Sequence, residues 1–182
     1  LLICLVSCQY SHKVGFQKLY KRLNKGSVEA DVDEIWTYIL RRYFANDDRS
    51  DDDYSIAVQQ RVVDEEGETA DLIIKTVRND AFQKIIFIED KRVKFEGRSS
   101  NWEKAHAQLE NYMKLSKASG GADKGEPLYG VVTVGRYSRF YCMAEKSTTL
   151  DDMAEFQGRY FEFLADEDEI DYILMLLKAK TK

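Results

Sequence analysis

Glu89 and Lys91 stand two residues apart at the end of the apolar run Ile85-Ile86-Phe87-Ile88. Side chains two apart on an extended strand project from one face. A carboxylate and an ammonium therefore share a side with Ile85 and Phe87, while Asp90 points the other way. Ionised groups at the end of an otherwise apolar strand are costly to bury without a partner. A second carboxylate, Asp71, stands eighteen residues earlier and opens the apolar segment Leu72-Ile73-Ile74. If the two segments pair antiparallel about a turn centred near Asp80, Asp71 is directly opposite Glu89, with about 4.5–5.5 Å between Cβ atoms. Carboxylates that close repel unless a cation lies between them, which is the chemistry of a Mg²⁺ or Mn²⁺ site. Register decides the matter, because a slip of one residue turns Asp71 to the opposite face.

These residues need a sheet and helices to hold them. Val28, Val32, Ile35, Trp36, Ile39, Leu40 and Tyr43 recur at spacings of three and four, predicting an amphipathic helix over 28–43. Residues 46–53, rich in Asp, read as a solvated loop. Tyr54 to Val63 and Thr69 to Thr76 read as a hairpin about Asp64-Glu65-Glu66-Gly67. Lys84 to Arg92 is a third strand, apolar on both faces and so covered on both. Ser100-Asn101-Trp102-Glu103 has the form of a capping box, and Trp102, Ala105, Leu109, Tyr112, Met113 and Ser116 then fall on one helical face. Gly120-Gly121 and Gly125 mark the loop beyond, before strands at 128–134 and 139–143 that flank a turn at Gly135. Ile170, Ile173, Leu174 and Leu177 define a C-terminal helix. The order α, β, β, β, α, β, β, α is that of an α+β domain built on one mixed central sheet flanked by helices.

A chain of 182 residues fits one domain, read as an N-terminal extension (1–27), a core (28–143) and a C-terminal extension with its helix (144–182). With 44% hydrophobic and 32% charged residues and a single proline, it has the composition of a globular protein rather than a disordered or fibrous one. A net charge of −5 repels a polyanion overall, but an acidic pocket is what holds the ions of a metal-assisted phosphodiesterase. Cys4, Cys8 and Cys142 cannot all pair within the chain and have no metal-ligand spacing, which points to a reduced intracellular compartment. The apolar opening 1–6 is too short for a membrane span and reads as a packed terminal segment. The lack of an initiating Met reads as an excerpt or a processed product.

Asp71 followed by Glu89-Asp90-Lys91, with Gln108-Leu109-Glu110-Asn111-Tyr112 on the next helix, resembles the PD-(D/E)XK nuclease superfamily. The Gln-x-x-x-Tyr spacing is similar to that of RecB-like nucleases and of the N-terminal nuclease domain of type I restriction motor subunits. Tyr129 to Gly135 followed by Arg139-Phe140-Tyr141 extends the likeness to the latter. The chain departs from the motif in having Ala70, not proline, before Asp71.

The resemblance implies a restriction-endonuclease-like αβββαβ core and a nuclease that cuts phosphodiester bonds, with DNA favoured. Asp71 and Glu89 would bind Mg²⁺ or Mn²⁺, joined by the main chain of Asp90 and by an acid from the first helix. Glu29 is chosen for that last place over Glu34, which lies opposite the apolar stripe. Lys91 would orient or help deprotonate the attacking water, and Gln108, on the edge of its helix's apolar face, would position water or phosphate. Tyr112, Arg92 and Lys94 would meet substrate. Read blandly, Glu29 is a helix N-terminal acid, Tyr112 is core, and Arg92, Lys94 and His106 are surface residues. The competing expectation is a non-catalytic nuclease-fold module that binds nucleic acid or a protein partner. A phosphatase is disfavoured by the lack of a His-Asp cluster. The pattern leaves open a further domain or protein partner and the oligomeric state, and implies no membrane association.

Overall fold

The computed structural model describes residues 9–44, 53–63, 66–78, 80–120 and 125–182. The expectations for residues 1–6, for most of the acidic loop 46–53 and for the turn at Asp64-Glu65 lie outside them, as do Cys4 and Cys8. The elements are α1 (Val14–Arg22), α2 (Glu29–Leu40), β1 (Tyr54–Val63), β2 (Glu66–Arg78), β3 (Ala81–Lys91), α3 (Ser99–Ser119), β4 (Leu128–Val134), β5 (Tyr137–Met143), β6 (Asp151–Asp152), β7 (Phe161–Glu162) and α4 (Glu167–Lys180). This is an α+β fold on one mixed sheet of order β1-β2-β3-β4-β5-β6, with β7 also paired to β5. β3 and β4 are parallel, joined by α3 as a crossover, and the other pairs are antiparallel. Among the described residues no helix is long and apolar enough to cross a membrane.

The apolar run of β3 is covered on both faces. On one, Leu72, Ile74, Ile86, Ile88 and Val131 pack with Val32, Ile35, Trp36 and Ile39 of α2 and with Ile170, Ile173 and Leu174 of α4. On the other, Ile73, Phe87, Val132 and Val134 pack under Trp102, Ala105, Leu109, Tyr112 and Met113 of α3. The helix can lie close because β4 carries Gly130 there; a Cβ at that position would fall 2.8 Å from Leu109 Cδ2. The N-terminal segment belongs to the first layer. Tyr10 and Phe16 are buried in it, the Tyr10 hydroxyl donates to the Phe163 carbonyl at 2.8 Å, and Glu167 of α4 accepts from the Tyr10 and Ser11 N–H groups.

The start of α3 differs from the capping-box reading. Arg98 is the N-cap, without a side-chain cap, and Ser100 lies inside the helix. The chain enters through a 3₁₀ turn at Val93–Phe95, where Arg98 N–H donates to Phe95 O and Asn101 N–H to Arg98 O, both at 3.0 Å, so the main chain does the work assigned to the serine. In α2 a carboxylate does cap: Asp31 accepts from the Val28 N–H at 2.9 Å, satisfying a donor the helix cannot.

The β2–β3 hairpin sets the register. Arg78 pairs with Ala81 across a tight turn in which Asp80 takes the left-handed φ of 59°. From that turn Lys75 pairs with Lys84, yet Ile74 pairs with Ile86, so Ile85 is a bulge residue. Beyond it Ile73 faces Phe87 and Leu72 faces Ile88. At the sheet's outer edge β1 has its own irregularity, Gln59 at φ 46°.

The far end of β3 is tied down by a second turn. Gly135, at φ 63°, donates its N–H to the Lys91 carbonyl at 2.8 Å, and Arg136 N–H donates to Glu96 Oε1 at 2.9 Å. A Cβ on Gly135 would run into the Glu96 carboxylate. Gly135→Ala combines that clash with an unfavourable φ, so we expect it to cost about 1–3 kcal/mol in a urea titration. An unchanged midpoint would show that Glu96 does not hold this turn.

Candidate functional site

The paired register ends at Leu72–Ile88, and continuing it by one residue brings Asp71 opposite Glu89. Because Ile73 and Phe87 lie in the α3 layer, alternation brings Asp71, Glu89 and Lys91 to that same face, at the ends of their strands. Asp90 N–H donates to Asp71 Oδ2 at 2.7 Å, which fixes the Asp71 carboxylate against β3. The Lys91 ammonium is paired with Glu89 Oε1. Glu89 is only 2% exposed, whereas Asp71 and Lys91 are half-buried. Glu29, in the first turn of α2, is near enough for its charge to act on Asp71, Glu89 and Lys91. Asp71, Glu89 and Lys91 are thus brought together, with Glu29 within electrostatic reach.

Their titration reflects crowding. Burial, then the charge of Asp71, pushes Glu89 up to about 7 against the pull of Lys91. Burial raises Asp71 too, opposed by its bond from the Asp90 N–H and by Lys91. Burial works against the Lys91 ammonium, but Glu89 beside it, with Asp71 and Glu29, outweighs this and raises its pKa. Lys91 is thus held as a cation.

Alternation sends the Asp90 side chain to the α2 face, where it is fully buried. It meets Asp33 of α2 and Thr133 of β4. Thr133 accepts from Trp36 Nε1 at 2.6 Å and lies 3.2 Å from the Ser138 hydroxyl. Among the described residues Asp33 Oδ1 and both Asp90 oxygens are buried without a hydrogen-bond partner, an environment that favours the protonated carboxyl. Burial and the charge of Asp71 push Asp33 up to about 6. Burial and the charge of Asp33 raise Asp90 well above the usual carboxylate range. Asp33 was missed from sequence, where only Glu29 and Glu34 were weighed. The signal was its place one helical turn after Glu29, at the edge of the apolar stripe. Glu34 is exposed and pairs with Arg22 at 3.0 Å.

The remaining residues differ in exposure. Gln108 is exposed rather than half-buried, since the stripe of α3 turns it outward beyond Tyr112. Tyr112 is 3% exposed and packs against the sheet, so its ring supports the helix instead of facing a substrate. Arg92 and Lys94 follow the end of β3; Lys94 is exposed, with its ammonium 4.9 Å over the Phe95 ring. His106 is half-buried, and its Nε2 lies 3.0 Å from the Leu150 carbonyl.

Among the described residues no three acidic, histidine or cysteine side chains stand close enough to hold a metal ion as they are. The donors still suit a hard cation: Glu89 Oε2 is buried without a hydrogen-bond partner, beside Asp71 and within the field of Glu29. No protein-family profile, curated protein or solved structure matches this chain.

The raised carboxyls fix the sign of a pH effect. Each keeps its proton to higher pH folded than unfolded, so its contribution to stability is full below about 4 and is lost as pH rises through about 6 for Asp33 and about 7 for Glu89. Metal-free protein should therefore lose melting temperature across that window. Asp33→Asn, which offers Asp90 an amide donor, should flatten the loss and raise stability at neutral pH. An equally steep decline in the variant would place the titration elsewhere.

Proposed function

We propose that the chain is a metal-dependent nuclease of the PD-(D/E)XK type, on a restriction-endonuclease-like plan, that hydrolyses phosphodiester bonds, with DNA the favoured substrate. What supports this reading is the β2–β3 register, whose continuation past Leu72–Ile88 brings Asp71 opposite Glu89, together with the pairing of Lys91 to Glu89. Asp71 and Glu89 would hold Mg²⁺ or Mn²⁺, with Glu29 near them. The Asp90 carbonyl would join them, since in a strand it points the way of its N–H, toward Asp71. A bound ion of this kind lowers the pKa of water and offsets charge on the phosphate.

The protein's own groups do the rest. The Asp90 N–H keeps Asp71 oriented, and Glu89 keeps Lys91 in place. As a cation among carboxylates, Lys91 serves better as a donor to developing negative charge than as a base. Gln108, Arg92 and Lys94 are left to meet the substrate's backbone. This work belongs to the cytoplasm or nucleus.

Cleavage of plasmid and oligonucleotides with Mg²⁺ or Mn²⁺, against an EDTA control, tests the reading. Lys91→Ala should fold normally and lose about 10²–10³-fold in rate, the usual effect of removing a charge-stabilising donor. Mn²⁺ should raise the melting temperature, and Asp71→Asn should abolish most of that rise together with cleavage. A wild-type chain that cuts neither DNA nor RNA, yet binds nucleic acid equally well with and without Lys91, would be a binding module instead.

A further inference from the structure

A cleft of about 520 Å³ opens between the first turns of α3 and strand β5. Its size falls in the range of small-molecule sites, about 300–1,000 Å³. Rings line it. Trp102 meets Tyr160 edge-on at 4.8 Å between centroids, and His106 meets Tyr141 at 4.9 Å. The Arg139 guanidinium lies 5.4 Å from the Tyr141 ring and 5.0 Å from that of Tyr160. Asp152 holds it through two bonds of 2.7 and 2.8 Å, and Asp152 is itself fixed by the Gly158 N–H at 3.0 Å. The wall is therefore built without a ligand, while Tyr160 remains 48% exposed at its rim.

The charges decide what fits. Asp152 neutralises Arg139, and Glu103 and Asp151 add two more carboxylates to the lining. A phosphate is repelled by such a site. A flat, uncharged ring is accepted by the aromatic walls, and N–H groups on its edge would be welcome to the carboxylates, as cytosine N4 is to Asp or Glu.

The cleft also lies on the face that carries Glu89. Glu89 pairs with Val132 and Val132 with Arg139, so one row crosses the sheet from the proposed reaction centre to the cleft wall in two strand spacings, about 10 Å. A base seated there would place its neighbouring backbone toward Glu89.

We propose that this cleft is a subsite for an unpaired, amino-bearing nucleobase, adenine, cytosine or guanine rather than thymine, which makes single strands and frayed ends the preferred substrate. Its use in cleavage rests on the nuclease reading; its binding does not. A base must be free of its partner to enter, so duplex alone is a poor ligand.

Fluorescence anisotropy of labelled oligo(dC), oligo(dA), oligo(dT) and a blunt duplex, measured in EDTA, tests it. The wild-type chain should bind oligo(dC) and oligo(dA) about tenfold or more tightly than oligo(dT) or the duplex. Tyr160→Ala should remove that preference, by the usual size of a lost stacking contact, and Tyr160→Phe should keep it. Glu103→Gln should narrow the gap between oligo(dC) and oligo(dT). Tyr160 is half exposed, and an unchanged circular dichroism spectrum would confirm that its variants fold. Equal affinity for oligo(dC) and oligo(dT), or full preference in Tyr160→Ala, overturns the subsite. Base preference lost in Tyr160→Ala, in a chain that cuts nothing with Mn²⁺, would keep the subsite and sink the nuclease reading. Cleavage without base preference would do the reverse.

Discussion

With a two-residue turn and no irregularity, Asp71 would stand opposite Ile88, and Glu89 would lie on the other face of the sheet. The bulge at Ile85 adds the one residue that changes this. It also lets Ile85 and Ile86, neighbours in sequence, both sit in the layer under α2 and α4. Everything C-terminal to it on β3 takes its facing from that step: Phe87, Glu89 and Lys91 toward α3, Ile88 and Asp90 toward α2. The same parity carries across to Val132 and Arg139, so the cleft beside α3 and the carboxylates at the strand ends share a face for one reason.

The strand end then concentrates negative charge on both sides of one backbone. On the α3 face a single ammonium answers the carboxylates of Asp71 and Glu89, with Glu29 of α2 within reach of its charge, and it is held charged despite burial. On the α2 face the Asp33–Asp90 pair has no cation beside it among the described residues, and burial with mutual repulsion favours the protonated form of both carboxyls. The two solutions meet at the Asp90 peptide, whose N–H binds Asp71 while its side chain faces Asp33. Such an arrangement is unfavourable for folding by itself.

Much of this was legible in the residues. Helical spacing found α2, α3 and α4, and the apolar run of β3 announced a strand covered on both sides. Counting outward from Asp80 reached the Asp71–Glu89 pairing, although the true turn is tighter and the bulge supplies the difference. Four consecutive apolar residues hide parity, so no pattern in Ile85 to Ile88 could reveal which one is extra. α1 was missed because at nine residues it is shorter than the window over which helical spacing is read, and β6 and β7 because two residues have no period. Ser100 resembled a cap only in sequence; the preceding 3₁₀ turn had already satisfied the helix. The Asp33–Asp90 pair needs two elements far apart in the chain, a relation no local window contains.

Among the described residues β1 ends the sheet, so its outer row of N–H and C=O groups is a template on which another chain could add a strand. Val58 on that strand is 51% exposed, which would favour such growth. The next residue, Gln59, turns into the left-handed region, between the pairs Val58–Leu72 and Gln60–Ala70. A straight incoming strand cannot follow that kink, so stacking of copies edge to edge is interrupted at the level of Asp71. The irregularity thus breaks the regular edge on which a second strand would have to pair.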